Sequence, residues 1–131
     1  DPHIIDAVLL YAQRGHGKRS GLYSDFTFGA WTDDGSTLLP VGKAYFGFTD
    51  KELAFIDRYV RENTVDRFGP VRSIRADAEQ GLVFEIEFEG IGLSGRHKSG
   101  IALRFPRISR IRQDKPTREA DTISAMKKLI A

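Results

Sequence analysis

The densest group of chemically capable side chains lies near the end of the chain. Five cations are spaced among apolar residues at positions 101–116: Arg104, Arg107, Arg110, Arg112 and Lys115. Residues 96–118 hold eight Lys or Arg and one acid, Asp114. Since a guanidinium pairs with phosphate oxygens two at a time, a strand with one apolar face and one row of arginines indicates a phosphate-bearing partner. A solvated basic strand that protects a sheet edge is the alternative.

Two further groups of side chains allow more than one interpretation. Glu85, Glu87 and Glu89 alternate along a run of apolar residues, which is compatible with a paired-carboxylate site or with a solvated sheet face that pairs with neighbouring arginines. The second interpretation is the simpler one. Residues 15–21 form a glycine-rich loop with Lys18 and Arg19, but a nucleotide-binding P-loop would need Ser or Thr after the lysine.

Metal and disulfide chemistry is not expected. The three histidines are far apart in sequence, and the chain has no cysteine, so neither a metal site nor a disulfide is predicted. The length of 131 residues, with 40% apolar and 29% charged residues, is that of one globular domain over residues 1–131. The net charge is only +2, so the basic character is local. No apolar run approaches the roughly 20 residues that would span a membrane.

The elements that must position these groups follow from periodicity and turn residues. Strands are predicted at residues 4–12, 25–31, 38–48, 82–88 and 101–116, with a possible short edge strand at 71–75 and a loop at 90–100. A capping box at residues 49–52 predicts a helix over residues 50–62, and Asp121 or Thr122 begins a last helix through residue 130. This order predicts a mainly β fold: a five-stranded Greek-key OB-fold barrel with one helix between strands 3 and 4 and a C-terminal helix.

Two segments of the sequence resemble ATP-dependent DNA ligases. L-R-F-P-R at residues 103–107, followed by R-I-R-Q-D-K at 110–115, resembles the R-x-R-x-D-K motif that closes the C-terminal OB-fold domain of these enzymes. The segment G-H-G-K-R at residues 15–19 is similar to the G-x-G-K-R segment after their first OB strand. The adenylylated K-x-D-G motif of the family is absent from the chain. The resemblance therefore implies a C-terminal fragment of a longer ligase, inactive without a nucleotidyltransferase domain.

The resemblance also implies roles for individual residues. Arg110, Arg112 and Lys115 would contact the β- and γ-phosphates of ATP during lysine adenylylation, and Asp114 would fix their orientation. ATP and Mg²⁺ would be cofactors of the full-length enzyme, without tight binding to the fragment. A second set of cations would contact the DNA backbone at a nick: Lys18, Arg19, Arg96, Lys98, Arg104 and Arg107.

The implied partners are nicked double-stranded DNA and the nucleotidyltransferase domain of the same chain, with no membrane. The implied location is the cytoplasm, in association with the nucleoid, for a prokaryotic protein and the nucleus for a eukaryotic one. Two alternatives stay open. One is the OB domain of an RNA ligase or an mRNA-capping guanylyltransferase. The other is a stand-alone OB domain that binds single-stranded nucleic acid and catalyses nothing.

Overall fold

The computed structural model describes residues 3–15, 23–45 and 48–130. Within these residues the chain forms nine strands and two α-helices, with a short 3₁₀ turn at Thr117–Glu119. In chain order the elements are β1 (His3–Arg14), β2 (Tyr23–Trp31), β3 (Leu38–Tyr45), α1 (Asp50–Asn63), β4 (Thr64–Phe68), β5 (Val71–Ile74), β6 (Val83–Phe88), β7 (Gly90–Leu93), β8 (Ile101–Arg104), β9 (Arg107–Arg112) and α2 (Ile123–Lys127).

The long strand β1 is the centre of the sheet. Along one side it pairs with β2, and β2 pairs in turn with β3. Along its other side the first half pairs with β6 and the second half with β5. The sheet therefore divides into two branches on that side, one ending at β9 and the other at β4. All of these pairings are antiparallel, and β7 and β8 form a separate hairpin.

The hydrophobic core lies inside the curved sheet. Phe26 of β2 and Phe84 of β6 are fully buried, and their rings meet edge to face with centroids 6.1 Å apart. The alternation predicted for residues 82–88 is confirmed, because Phe84, Ile86 and Phe88 are all buried. Each such side chain contributes about 1.5–3 kcal/mol when it is removed from water. The core thus fixes the face of β6 that points inward, and with it the opposite face that carries the glutamates.

The helix caps agree with the sequence. Thr49 is the N-cap of α1, and its hydroxyl accepts the N–H of Glu52 at 3.2 Å while the Glu52 carboxylate accepts the N–H of Thr49 at 3.0 Å. This is the predicted capping box. Thr122 is the N-cap of α2, since its hydroxyl accepts the N–H of Ala125. However, α2 ends at Lys127, three residues before the predicted position.

The mainly β class, the helix after the third strand and the C-terminal helix are confirmed, and the sheet is not closed in the described part of the chain. The single strand predicted at residues 101–116 is wrong, because β8 and β9 are separate. Between them Phe105 has a φ angle of +51°, and Pro106 has no N–H to donate to a ladder. The predicted loop at 90–100 also begins with a strand, β7. More strands are therefore present than the five that were predicted.

A buried tryptophan joins β2 to the segment that follows β9. The indole Nε1 of Trp31 donates to the carbonyl of Thr117 at 2.6 Å, and the Trp31 N–H donates to the carbonyl of Asp121 at 3.0 Å. Trp31 is 5% exposed and Thr117 is 4% exposed. Since Lys115 lies only two residues before Thr117, this junction also positions the end of the basic motif.

Replacement of Trp31 by Phe should destabilise the domain by about 1–3 kcal/mol, because the buried carbonyl of Thr117 loses its donor. Urea unfolding followed by circular dichroism measures the change. The slope of the free energy with urea should stay constant, since the surface exposed on unfolding is nearly the same. A midpoint equal to that of the unmodified chain would show that the junction contributes nothing.

Candidate nucleic-acid interface

The arginines of β9 face a row of carboxylates on β6. The strand register places Glu85 opposite Arg110 and Glu87 opposite Arg107. Arg107 Nη2 lies 2.9 Å from Glu87 Oε2, and Arg110 Nε lies 3.3 Å from Glu85 Oε1. This confirms the interpretation of the glutamates as a sheet face that pairs with neighbouring arginines. Both arginines remain 58% exposed, and exposed pairs are worth only about 0–1 kcal/mol. A phosphate can therefore compete for them.

Arg112 is held more tightly than the other arginines of this strand. Its Nε and Nη2 donate to the two carboxylate oxygens of Asp114, both at 3.1 Å. Its Nη1 lies 3.7 Å from Asp6 Oδ1 and 4.0 Å from Glu85 Oε1. The Arg112 hydrogen bonds lower the pKa of Asp114, and the same hydrogen bonds to Asp114 raise the pKa of Arg112. Asp114 thus pairs with the guanidinium of Arg112 through two hydrogen bonds. The role expected for it towards the ATP phosphates stays a prediction.

Asp6 is part of this cluster and was not predicted from the sequence. Its Oδ2 accepts a hydrogen bond from Lys115 Nζ at 2.7 Å. Its Oδ1 is buried and has no hydrogen-bond partner among the described residues. The backbone around it is anchored, because the Asp6 N–H donates to Asp121 Oδ2 at 2.7 Å and the Asp121 N–H donates to the Asp6 carbonyl at 2.9 Å. A single acid inside the apolar run 4–12 was the signal that could have identified it.

The cations of the β7–β8 hairpin differ from the arginines of β9 in that they have no carboxylate partner among the described residues. Arg96, Lys98 and Arg104 have no ion pair with any residue in the described ranges. The guanidinium of Arg104 lies along Gly90, where a Cβ atom would come within 3.1 Å of Arg104 Nη2. His97 and Ser99 fix the loop through hydrogen bonds with Ile101.

The cations predicted to contact DNA therefore fall into groups that differ in their contacts. Arg96, Lys98 and Arg104 are unpaired within the described residues, whereas Arg107 is paired with Glu87. Arg107 begins β9, the strand that also contains Arg110 and Arg112. Lys18 and Arg19 lie outside the described residues.

Phe105 is an exposed aromatic side chain in the middle of the basic segment. It is 69% exposed, and its positive φ angle is uncommon for a bulky residue. Arg104 precedes it, and Pro106 and Arg107 follow it. The strand predicted over residues 101–116 includes Phe105, which is wrong because β8 ends at Arg104 and β9 begins at Arg107. The Phe-Pro pair was the signal, since the residue before a proline is restricted in conformation.

Two aromatic side chains elsewhere are not available for stacking on bases, as OB-fold aromatics can be. Trp31 is buried and Phe48 packs against the core. Phe46 and the side chain of Tyr45 are outside the described part. Among the described residues, no group of three or more His, Asp or Glu side chains could hold a metal ion. No helix in those residues has the length and apolarity needed to cross a bilayer.

A comparison with family models identifies the family to which the chain belongs. The model of the ATP-dependent DNA ligase C-terminal region matches residues 19–115, which include the β7–β8 hairpin and all of β9. The chain belongs to this family. It is 46% identical over 120 residues to a probable DNA ligase of Koribacter versatilis, covering 92% of the chain and 20% of that protein. It is 38% identical over 125 residues to DNA ligase 1 of Korarchaeum cryptofilum, covering 95% of the chain and 22% of that protein.

The likeness to solved structures supports the same fold. The ligase domain of LigD from M. tuberculosis superimposes with a TM-score of 0.69 at 18% identity, covering 91% of the chain and 38% of that structure. At this identity the match shows the fold. The chain spans about a fifth of the length of the two ligases named above. The family model that matches describes the C-terminal region of such ligases.

Replacement of Asp6 by Asn should lower the stability of the domain by about 2 kcal/mol, because Lys115 and Arg112 lose a half-buried anionic partner. Asp114→Asn is the matched control, since Asp114 is 72% exposed and its loss should change the unfolding midpoint little. Urea titration of both variants at pH 7 measures the difference. Equal midpoints for the two variants would contradict the anchoring role of Asp6.

Proposed function

We propose that this chain is the OB-fold domain of an ATP-dependent DNA ligase that acts in phosphodiester bond formation at nicks in duplex DNA. It works beside a nucleotidyltransferase domain of the same longer protein. The observation that carries the proposal is the arrangement of cations on two adjoining elements. The guanidiniums of β9 stand in a row opposite exchangeable carboxylates. The hairpin that precedes β9 carries cations without a carboxylate partner in the described part of the chain.

The β9 cations fit the triphosphate of ATP. Arg110 and Arg112 supply planar forks with several N–H donors, and Lys115 supplies a point charge at the end of the strand. Asp114 keeps the Arg112 fork in one orientation before any ligand arrives. ATP, bound with Mg²⁺, would supply the adenylyl group that a lysine of the nucleotidyltransferase domain accepts. In that reaction these residues neutralise and orient the β- and γ-phosphates, which leave as pyrophosphate.

The β7–β8 hairpin fits the backbone of nicked duplex DNA. Arg96, Lys98 and Arg104 can contact phosphates without first leaving an ion pair inside the described structure, and such contacts carry no sequence preference. Arg107 would join them once Glu87 releases it. The exposed ring of Phe105 stands between Arg104 and Arg107, and apolar side chains in such positions can enter the minor groove. Lys18 and Arg19 complete the proposed set.

In the full-length enzyme, Arg112→Ala should reduce self-adenylylation by at least about tenfold, because a preorganised donor to the leaving phosphates is lost. Sealing of DNA that is already adenylylated should be affected less. Transfer of labelled AMP from ATP to the enzyme measures the first step, and a nicked 5′-adenylylated duplex measures the second.

Arg118→Ala is a suitable control, because Arg118 is exposed and pairs only loosely with Glu79, at 3.7 Å. An equal loss in both steps for Arg112→Ala would contradict the division of roles. A second test adds this domain in trans to a nucleotidyltransferase domain that lacks its own OB domain, and measures the transfer of AMP from ATP. No stimulation of AMP transfer there would count against the phosphate-orienting role.

The chain should bind nicked duplex DNA weakly, and the logarithm of the binding constant should fall with log salt by about 0.9 for each phosphate contacted. Substitution of Arg96, Lys98 and Arg104 together by Gln should reduce that slope by about three. Fluorescence anisotropy between about 50 and 200 mM salt measures both slopes. An unchanged slope would contradict the role of the hairpin. Tighter binding to a single-stranded oligonucleotide than to the nicked duplex would favour a stand-alone single-strand-binding domain.

A further inference from the structure

The β4–β5 hairpin holds two arginines in an unfavourable arrangement. Its register places Arg67 of β4 directly opposite Arg72 of β5. Like charges in directly opposed positions destabilise an antiparallel pair. Elsewhere in the same sheet, the arginines of β9 stand opposite Glu85 and Glu87 of β6, so opposite charges face each other there. The opposed cations of the hairpin therefore reduce the stability of the free domain, and a bound anion would remove that cost.

No carboxylate neutralises these arginines within the part of the chain that the structure describes. Arg72 Nη1 donates to the carbonyls of Gly69 at 2.7 Å and Val71 at 3.3 Å, which leaves its other N–H groups available. Asp66 accepts the backbone N–H of Arg67 rather than its side chain. The guanidinium of Arg14 lies 5.1 Å from the ring centroid of Tyr23 and has no acidic partner among the described residues.

The hairpin tip lies beside the end of β1. The carbonyl of Pro70, in the turn of the hairpin, accepts the N–H of Arg14 at 3.4 Å. Arg14 is the last residue of β1, so its backbone lies next to the turn that joins the strands of Arg67 and Arg72.

The exposed aromatic side chain of β4 lies apart from its arginine. Phe68 is 59% exposed and Val65 is 64% exposed. Because successive side chains of a strand point to opposite faces, Phe68 lies on the other face from Arg67 and takes no part in the cationic surface. β4 pairs only with β5, so its outer edge is not covered by another described strand.

We propose that the β4–β5 hairpin, through Arg67 and Arg72 together with Arg14, is a second contact surface for the sugar–phosphate backbone of duplex DNA. Its phosphates differ from those bound by the β7–β8 hairpin. This inference rests on the DNA-binding function proposed above and extends its footprint. Duplex DNA is the partner because its phosphates are closely and regularly spaced, so that separate cationic surfaces of one domain can each neutralise phosphates of the same molecule.

The test is a double variant, Arg67→Gln with Arg72→Gln, in binding to a nicked duplex. The salt slope should fall by about two, and the affinity should fall to a similar degree for duplexes of different sequence. The matched control is Arg61→Gln with Arg118→Gln, which removes the same charge from arginines that are ion-paired with Asp57 and Glu79. A slope for the hairpin variant equal to that of this control would overturn the inference.

A stability measurement separates binding from folding. Because the hairpin variant removes opposed like charges, its urea midpoint should equal or exceed that of the unmodified chain. A loss of DNA affinity together with a markedly lower midpoint would overturn the inference, since the arginines would then be structural.

The failure of this inference can be distinguished from failure of the function on which it rests. If the unmodified chain does not bind nicked DNA, both fail. If the chain binds, and the Arg96, Lys98 and Arg104 variant weakens binding while the hairpin variant does not, only the second surface fails.

Discussion

The basic end of this domain depends on one carboxylate in the central strand. Asp6 occupies a position in β1 that would otherwise be apolar, and it lies within 2.7 Å of Lys115 and 3.7 Å of Arg112. Asp6 stands opposite Glu85 of β6, and its backbone N–H and carbonyl bond to Asp121, so its backbone is held on both sides. Its buried Oδ1 has no hydrogen bond in the described structure, so the burial of the carboxylate is compensated by Lys115 on Oδ2 and by the approach of Arg112 to Oδ1. The central strand β1 therefore positions Arg112 and Lys115 of the basic motif.

How readily each arginine of β9 can bind a phosphate depends on the carboxylates that already neutralise it. Arg107 and Arg110 form exposed pairs with glutamates, and such pairs contribute little free energy in water. A phosphate group carries at least as much negative charge as a glutamate and can take its place at either arginine. Arg112 is held by three carboxylates, so it is the member of the strand whose geometry is already set. β9 therefore carries two arginines whose glutamate partners a ligand can replace, and a third, Arg112, whose guanidinium is held in one orientation.

Local patterns in the sequence predicted local structure well. The capping box at Thr49 and Glu52, the alternation from Phe84 to Phe88 and the N-cap at Thr122 all follow from interactions within a few residues. The motif residues were found because they lie close together in sequence. Asp6 was not found, because its contact with Lys115 joins positions 109 residues apart. Register between distant strands depends on the whole fold, and no short segment specifies it.

The break between β8 and β9 at Phe105 and Pro106 is a second feature that the sequence pattern did not predict. Apolar residues at 103, 105 and 108 suited one strand, but the proline removed a ladder donor and turned the chain outward. The consequence is functional rather than only topological. The break separates the cations of the β7–β8 hairpin, which have no ion pair among the described residues, from the paired cations of β9. Unpaired cations can bind any closely spaced phosphates as soon as they meet them. Paired cations require a ligand that displaces their carboxylates, so the two parts of this basic segment differ in how readily they can bind a phosphate.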